Sequence, residues 1–253
     1  MKMASSLLAC RRALGFLRSL IRAPLLNPQH KISERSDYKR TWQSLATTPE
    51  QAKIFVSGRA DEEYLDRMGE YTVELLERFV GIRPSDIVLE IGCGVGRVGK
   101  SLAPRCRKWI GTDISANMLK YAAERLGGAP NVELIEVNAA GLQEIASESV
   151  DVVYCTVVFM HLYEWDRYGY VVEAYRVLRP NGRCFFDNVD IASEGGWRVF
   201  MESYSIPPDR RPAHMSMVST GDELLTYAQR AGFRDIKLHR WDNAWIGVTG
   251  IKK

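Results

Sequence analysis

The sequence predicts an α/β fold: a doubly wound, seven-stranded sheet, mostly parallel but closing with an antiparallel C-terminal hairpin, and covered by helices on both faces. Strand-length apolar runs alternate with helix-period segments from residue 87 to 189, the pattern of right-handed βαβ units that bury a parallel sheet on both sides. The C-terminal part instead carries one capped helix and two β-rich runs around an Asp-Asn turn, which reads as a hairpin. With 253 residues, 46% hydrophobic and 26% charged, the chain suits one sizeable domain better than two.

Residues 1–36 read as a leader. The first 33 carry six basic side chains (Lys2, Arg11, Arg12, Arg18, Arg22, Lys31) and no acidic one, although the net charge of the chain is only +3. The remainder, with 28 basic against 31 acidic residues, lacks the basic stripe of a nucleic-acid-binding surface. The leader alternates apolar residues with arginines, so it predicts an amphipathic or disordered segment with peripheral contact to an anionic membrane through residues 1–33. It also has the composition of a mitochondrial presequence.

Residues 37–58 mix aromatic and charged side chains. From 60 to 81, Tyr64, Leu65, Met68, Tyr71, Leu75, Leu76 and Phe79 recur at threes and fours, Gly81 stops the run and Pro84 bars its continuation; this predicts a helix leading into the sheet. The strands follow as IVLEI (87–91), KWIGTD (108–113), VELIEV (132–137), VDVVYCTV (150–157) and GRCFFDNV (182–189), with helical segments such as SANMLKYAAERLGG between them. Thr220 with Glu223 three residues on marks the start of the last helix.

After the first strand, VLEIGCGVGRVG (88–99) contains two overlapping glycine patterns. Gly94, Gly96 and Gly99 spell GxGxxG, the loop that cradles a dinucleotide pyrophosphate. Gly92, Gly94 and Gly96 spell GxGxG behind Glu90. A dinucleotide loop starts directly at the strand end, and starting it at Gly94 leaves Gly92 and Cys93 as unexplained strand residues. Gly92 suits the strand end better, and Gly99 is then a packing residue. Asp113, at the end of the second strand, can accept both hydroxyls of a ribose in either reading.

In order and spacing, VLEIGCGVGR, GTDISANML, VELIEVNAAGL, SVDVVYCTVVFMHL and RVLRPNGRCFF resemble the successive motifs of the class I S-adenosylmethionine-dependent methyltransferases. The likeness covers residues 37–253 and is most specific from 86 to 187. It is similar to the small-molecule branch that includes the ubiquinone and menaquinone biosynthesis methyltransferases. The resemblance implies a Rossmann-like sheet and S-adenosyl-L-methionine as cofactor. It implies that Gly92, Gly94 and Gly96 admit the methionine part, that Glu90 orients the loop and offsets the ammonium charge, and that Asp113 holds the ribose diol with Ile114 on the adenine. Asn138 and Ala139 would meet the adenine edge, and Thr156 the amino-acid end. Asn138 stands where the family commonly has aspartate, so it keeps an accepting oxygen but lacks the charge.

Methyl transfer from a sulfonium is an in-line displacement, in which the protein chiefly aligns the reactants and excludes water. A hydroxyl acceptor gains from a general base, and His161, just after the fourth strand, falls where similar enzymes place a residue beside the transferring methyl. Asp187 and Asp190, at and beyond the fifth strand, are expected to orient that base or to contact substrate. Residues 191–219 lie where the family inserts substrate-covering elements, and Trp197, Phe200, Tyr204 and His214 are candidates to line an acceptor pocket with aromatics near Trp42. The function expected is methyl transfer to a small or lipophilic acceptor, at oxygen, with a catalytically inactive binding or assembly protein as the alternative. Five cysteines form no C-x-x-C pair, so neither a metal site nor a disulfide framework is expected. That usage fits a reducing, cytoplasmic compartment, while the leader points to a membrane-associated or mitochondrial alternative.

Overall fold

The computed structural model describes residues 34–138 and 141–253. Residues 1–33 of the leader, with Ala139 and Ala140, lie outside the described residues, and the leader's last three, Glu34–Ser36, form a 3-10 turn. The architecture below belongs to the unit Arg35–Lys253.

Among the described residues three α-helices precede the sheet, each with a side-chain cap on an otherwise orphaned N–H. Asp37 caps α1 (Tyr38–Leu45) through the Arg40 N–H. Thr48 caps α2 (Pro49–Ser57) through that of Gln51, with Pro49 in the first turn and Gly58 ending the helix at φ 79°. Asp61 caps α3 (Glu62–Phe79), the helix read from its periodicity. The pair α1 and α2 is the fold's addition to the sequence reading, because its capping signals lie inside a stretch with no clean apolar stripe.

The strands are β1 (Ile87–Ile91), β2 (Lys108–Asp113), β3 (Val132–Glu136), β4 (Val150–Cys155), β5 (Leu178–Val189), β6 (Arg234–Trp241) and β7 (Trp245–Ile251), joined by α4 (Arg97–Leu102), α5 (Ala116–Leu126), α6 (Glu164–Val177), α7 (Glu194–Ser205) and α8 (Gly221–Ala231). The sheet order is β3-β2-β1-β4-β5-β7-β6. Strands β1 to β5 pair in parallel, and β7 runs antiparallel between β5 and β6. The expected sheet and hairpin are therefore present. Strand β5 starts at Leu178 rather than Gly182, since Pro180 cannot continue a helix.

Successive strand residues feed opposite layers. Leu89, Ile91, Val153, Cys155 and Phe186 pack with Val171 and Ala174 of α6 and Leu224 and Ala228 of α8. Val88, Val152, Tyr154 and Phe185 pack with Val73 and Leu76 of α3 and Val98 and Leu102 of α4. The chain steps from β1 outward to β3 and then returns to the other side of β1 as β4. That reversal opens a crevice at the carboxyl ends of β1 and β4, the position at which open α/β sheets bind ligands.

Candidate active site

A cavity opens at this switch point. Its floor is the loop after β1, of which Gly92, Cys93 and Gly94 line the cavity, whereas Gly96 packs against Leu126 and Ala122. Gly92, Gly94 and Gly96 have φ of 70°, 53° and 74°, a left-handed backbone that disfavours any side chain. A Cβ on Gly92 would collide with Val158, and one on Gly94 would stand 2.8 Å from Val56. Gly99 lies apart from this cradle. A Cβ there would come 2.5 Å from the Trp109 ring, which confirms it as a packing residue.

Asp113 ties the loop to β2: Oδ2 accepts the Gly94 N–H at 2.8 Å and Oδ1 that of Ser115 at 2.9 Å. Burial raises its pKa to about 6, partly offset by those N–H groups. Glu90 lines the cavity and is buried; desolvation raises its carboxyl to about 8, against the opposing pull of the Tyr154 hydroxyl and the Arg97 charge. Ile114 and Thr156 also line the cavity. Thr156 Oγ1 is buried with no hydrogen-bond partner, so a ligand that bonds there would satisfy it. The glycine cradle, the paired carboxylates and this orphaned hydroxyl fit an adenosyl amino acid.

Asn138 is placed elsewhere. It is exposed, its Oδ1 accepts from Lys39 Nζ at 3.1 Å, its Nδ2 donates to Glu144, and Val137 takes its place on the cavity wall. In this arrangement it does not offer the adenine-edge contact that the family resemblance implied.

His161 ends a short 3-10 turn, Phe159–His161, and lines the cavity. Its Nδ1 lies 2.8 Å from the His214 carbonyl; a carbonyl only accepts, so Nδ1 carries the proton and Nε2 keeps its lone pair. Burial lowers the ring's pKa to about 4, and Trp42 packs against it edge to face at 4.9 Å. Two further bonds hold the turn: Met217 N–H to the Met160 carbonyl at 2.7 Å and Arg167 Nε to the Phe159 carbonyl at 2.8 Å.

Asp187 does not line the cavity, which corrects its reading as a catalytic residue. Its Oδ1 accepts the Val157 N–H at 2.7 Å and holds that residue at φ 63°, a costly conformation for a β-branched side chain. Asp187 is thus a positioning residue for the loop that carries Thr156 and Val158. Asp190 is likewise spent on structure, bonded to Arg240 and to the Ala192 N–H.

The rest of the lining comes chiefly from Tyr38 and Trp42 of α1, Phe55 and Val56 of α2, and Val158 and Leu162 after β4. Trp197, Phe200 and Tyr204 instead stack on one another along α7, with Trp197 50% and Tyr204 64% exposed, and none lines the cavity. From residues 191–219, His214 contributes its carbonyl to His161 and its ring to Phe55 at 5.3 Å. Tyr38, Phe55 and Val56 were not singled out from the sequence. Caps Asp37 and Thr48 signal their helices, but nothing in the pattern signals which way those helices face.

A glycine cradle at the switch point, with a carboxylate ending the adjacent strand, defines a nucleoside-binding α/β protein. Residues 89–186 match the family model described as "Methyltransferase domain". Among curated proteins, the chain is 31% identical over 135 residues to the human thiol S-methyltransferase TMT1A, covering 52% of this chain and 54% of that one. It is 30% identical over 104 residues to a Pseudomonas fluorescens ubiquinone biosynthesis O-methyltransferase, covering 41% and 44%. Its fold is similar to that of an Aquifex aeolicus SAM-dependent methyltransferase, with TM-score 0.59, 19% identity, 81% of this chain covered and 99% of that one. The chain thus spans about half the length of those curated relatives. Together these likenesses support a class I S-adenosylmethionine-dependent methyltransferase.

Proposed function

We propose that the protein is an active methyltransferase that methylates an uncharged, lipophilic small molecule at a phenolic oxygen, with His161 as general base. S-adenosylmethionine supplies the electrophilic methyl when bound. Asp113 accepts the ribose hydroxyls, Glu90 offsets the cofactor's positive charge, and Thr156 bonds its amino-acid end.

The observation that carries the acceptor class is the distribution of charge in the lining. Glu90, Arg97 and Asp113 all come from the β1 and β2 ends and the start of α4, whereas the residues from α1, α2 and the turn after β4 are aromatic or aliphatic around a neutral histidine. A charged acceptor would lose its hydration there without a partner. A base with a pKa near 4 removes a proton most readily from an acidic donor, which favours a phenol, at roughly 10, over an aliphatic alcohol. The same weakness favours a thiol as the second reading, and the human relative is named for such an acceptor.

The test is methyl transfer from labelled S-adenosylmethionine into matched pools of neutral phenols, thiols and amines, read by mass spectrometry. Phenol ethers are the expected product. Thioethers select the second reading. Cofactor binding without product in any pool supports instead a binding protein that has lost turnover, a reading that the outward-facing Asn138 favours.

A further inference from the structure

Glu90 is supported by a chain of buried side chains that the cradle and the acceptor wall do not use. Trp109 and Tyr154 are both completely buried. Trp109 Nε1 donates to the Tyr154 hydroxyl at 3.1 Å, and that hydroxyl donates to Glu90 Oε2 at 2.5 Å. The indole fits because two neighbours lack side chains: a Cβ on Gly99 would stand 2.5 Å from its ring, and one on Gly111 would collide with it. Gly99, the last glycine of the discarded dinucleotide pattern, therefore makes room for the residue that orients Tyr154.

The charged and titratable groups facing Glu90 are few. Arg97, at the start of α4, favours the carboxylate, and Asp113 on β2 opposes it. Arg97 Nη1 is engaged with the Met68 carbonyl and the Thr72 hydroxyl, each at 2.8 Å. Tyr154, Cys93 and Cys155 are the remaining titratable neighbours, all buried and all held protonated. In the free protein the carboxyl group keeps its proton near neutral pH, with its pKa at about 8. A cation in a low-dielectric cavity reverses that balance.

Resting on the reading that this cavity takes S-adenosylmethionine, we propose that cofactor uptake expels one proton from Glu90, and that Tyr154, oriented by Trp109, is the positioning residue that sustains the resulting carboxylate. The carboxyl O–H bond breaks, the proton passes to the buffer, and the Tyr154 O–H remains as donor to the charged oxygen. The pair thereby links cofactor affinity to pH without touching the transferring methyl.

Calorimetric titration with S-adenosylmethionine at pH 6.5, in two buffers of different ionisation enthalpy, tests this. At that pH the cofactor's amino group, with a pKa of roughly 8, is fully charged and takes up no proton. The wild type is expected to release close to one proton per cofactor bound, and Glu90→Gln to release correspondingly less. Tyr154→Phe is expected to weaken binding about tenfold at pH 6.5, the worth of a hydrogen bond to a charged group, and distinctly less at pH 8. Trp109→Phe should give a smaller effect of the same pH dependence. Absence of binding by the wild type overturns both the proposed function and this inference. Binding with buffer-independent heat overturns the inference alone. An affinity loss in Tyr154→Phe that is equal at both pH values overturns the positioning role.

Discussion

The cofactor half of the cavity is made chiefly from strand ends that lie close together in the chain, from Glu90 to Ile114, with Thr156 at the end of β4, while the proposed acceptor half is gathered from residues 38–56 and 158–170 and held by a backbone carbonyl at 214. The first half is charged and preorganised by local backbone geometry: left-handed glycines and a carboxylate holding two N–H groups. The second is largely apolar, and His161, its proposed base, is fixed by contacts that are distant in sequence. Cofactor recognition therefore rests on local rules and acceptor recognition on tertiary ones, and substitutions in the two halves should separate in kinetics.

The largest separation is expected at His161. His161→Gln should lower kcat by about 10² to 10⁴, the range for loss of a general base, with the affinity for S-adenosylmethionine unchanged by calorimetry. An equal loss of both would place His161 in cofactor binding and break the division. Conversely, Asp113→Ala should weaken cofactor binding by about a hundredfold, two hydrogen bonds to a charged acceptor. Its saturating turnover should fall far less than that of His161→Gln.

Trp42→Ala sharpens the acceptor side. Removal of an aromatic wall should raise the KM for a lipophilic phenol about tenfold, from roughly 1.5 kcal/mol of lost apolar burial, and leave the cofactor's Kd untouched. A smaller effect is expected where the halves meet. Val157→Gly should relieve the φ 63° conformation and stabilise the free protein by about 1 kcal/mol in denaturant unfolding, while loosening the loop and lowering turnover.

The last prediction is read in stability and not in kinetics, as a trend with pH. The folded-state pKa values of Glu90, Asp187 and Asp113, about 8, 7 and 6, lie above the roughly 4 of unfolded carboxyls. The folded state then holds more protons, and stability falls as pH rises through those values. His161, lowered to about 4, acts with the opposite sign between that value and roughly 6.5, and not above it. From pH 6.5 to 8.5 the Tm of the free protein should therefore decline, and Glu90→Gln should flatten the decline. A Tm that rises across this range contradicts the burial of those carboxylates.

Much of the cofactor half was legible because its determinants are short-range. IVLEI and KWIGTD coincide with β1 and β2, and the three glycines adopt the backbone that their residue type permits. Asn138 was misplaced because the direction of an exposed side chain depends on partners such as Lys39 and Glu144, which the motif does not contain. Asp187 was read as catalytic from its position at a strand end, but its carboxylate is spent on Val157. The aromatics of α7 have helical spacing yet pack along their own helix, and the true wall came from α1 and α2, whose inward faces are fixed by packing and not by period.

A crystal structure with S-adenosylhomocysteine tests the central claim most directly, namely that one cavity presents a charged cofactor half to an apolar wall around a neutral histidine. The ligand's ribose hydroxyls should bond Asp113, its amino-acid end should satisfy Thr156 Oγ1 beside Glu90, and its sulfur should face the space bounded by His161, Trp42 and Val158. A ligand bound outside the glycine cradle, or one whose sulfur is screened from His161 by the protein, would contradict the account.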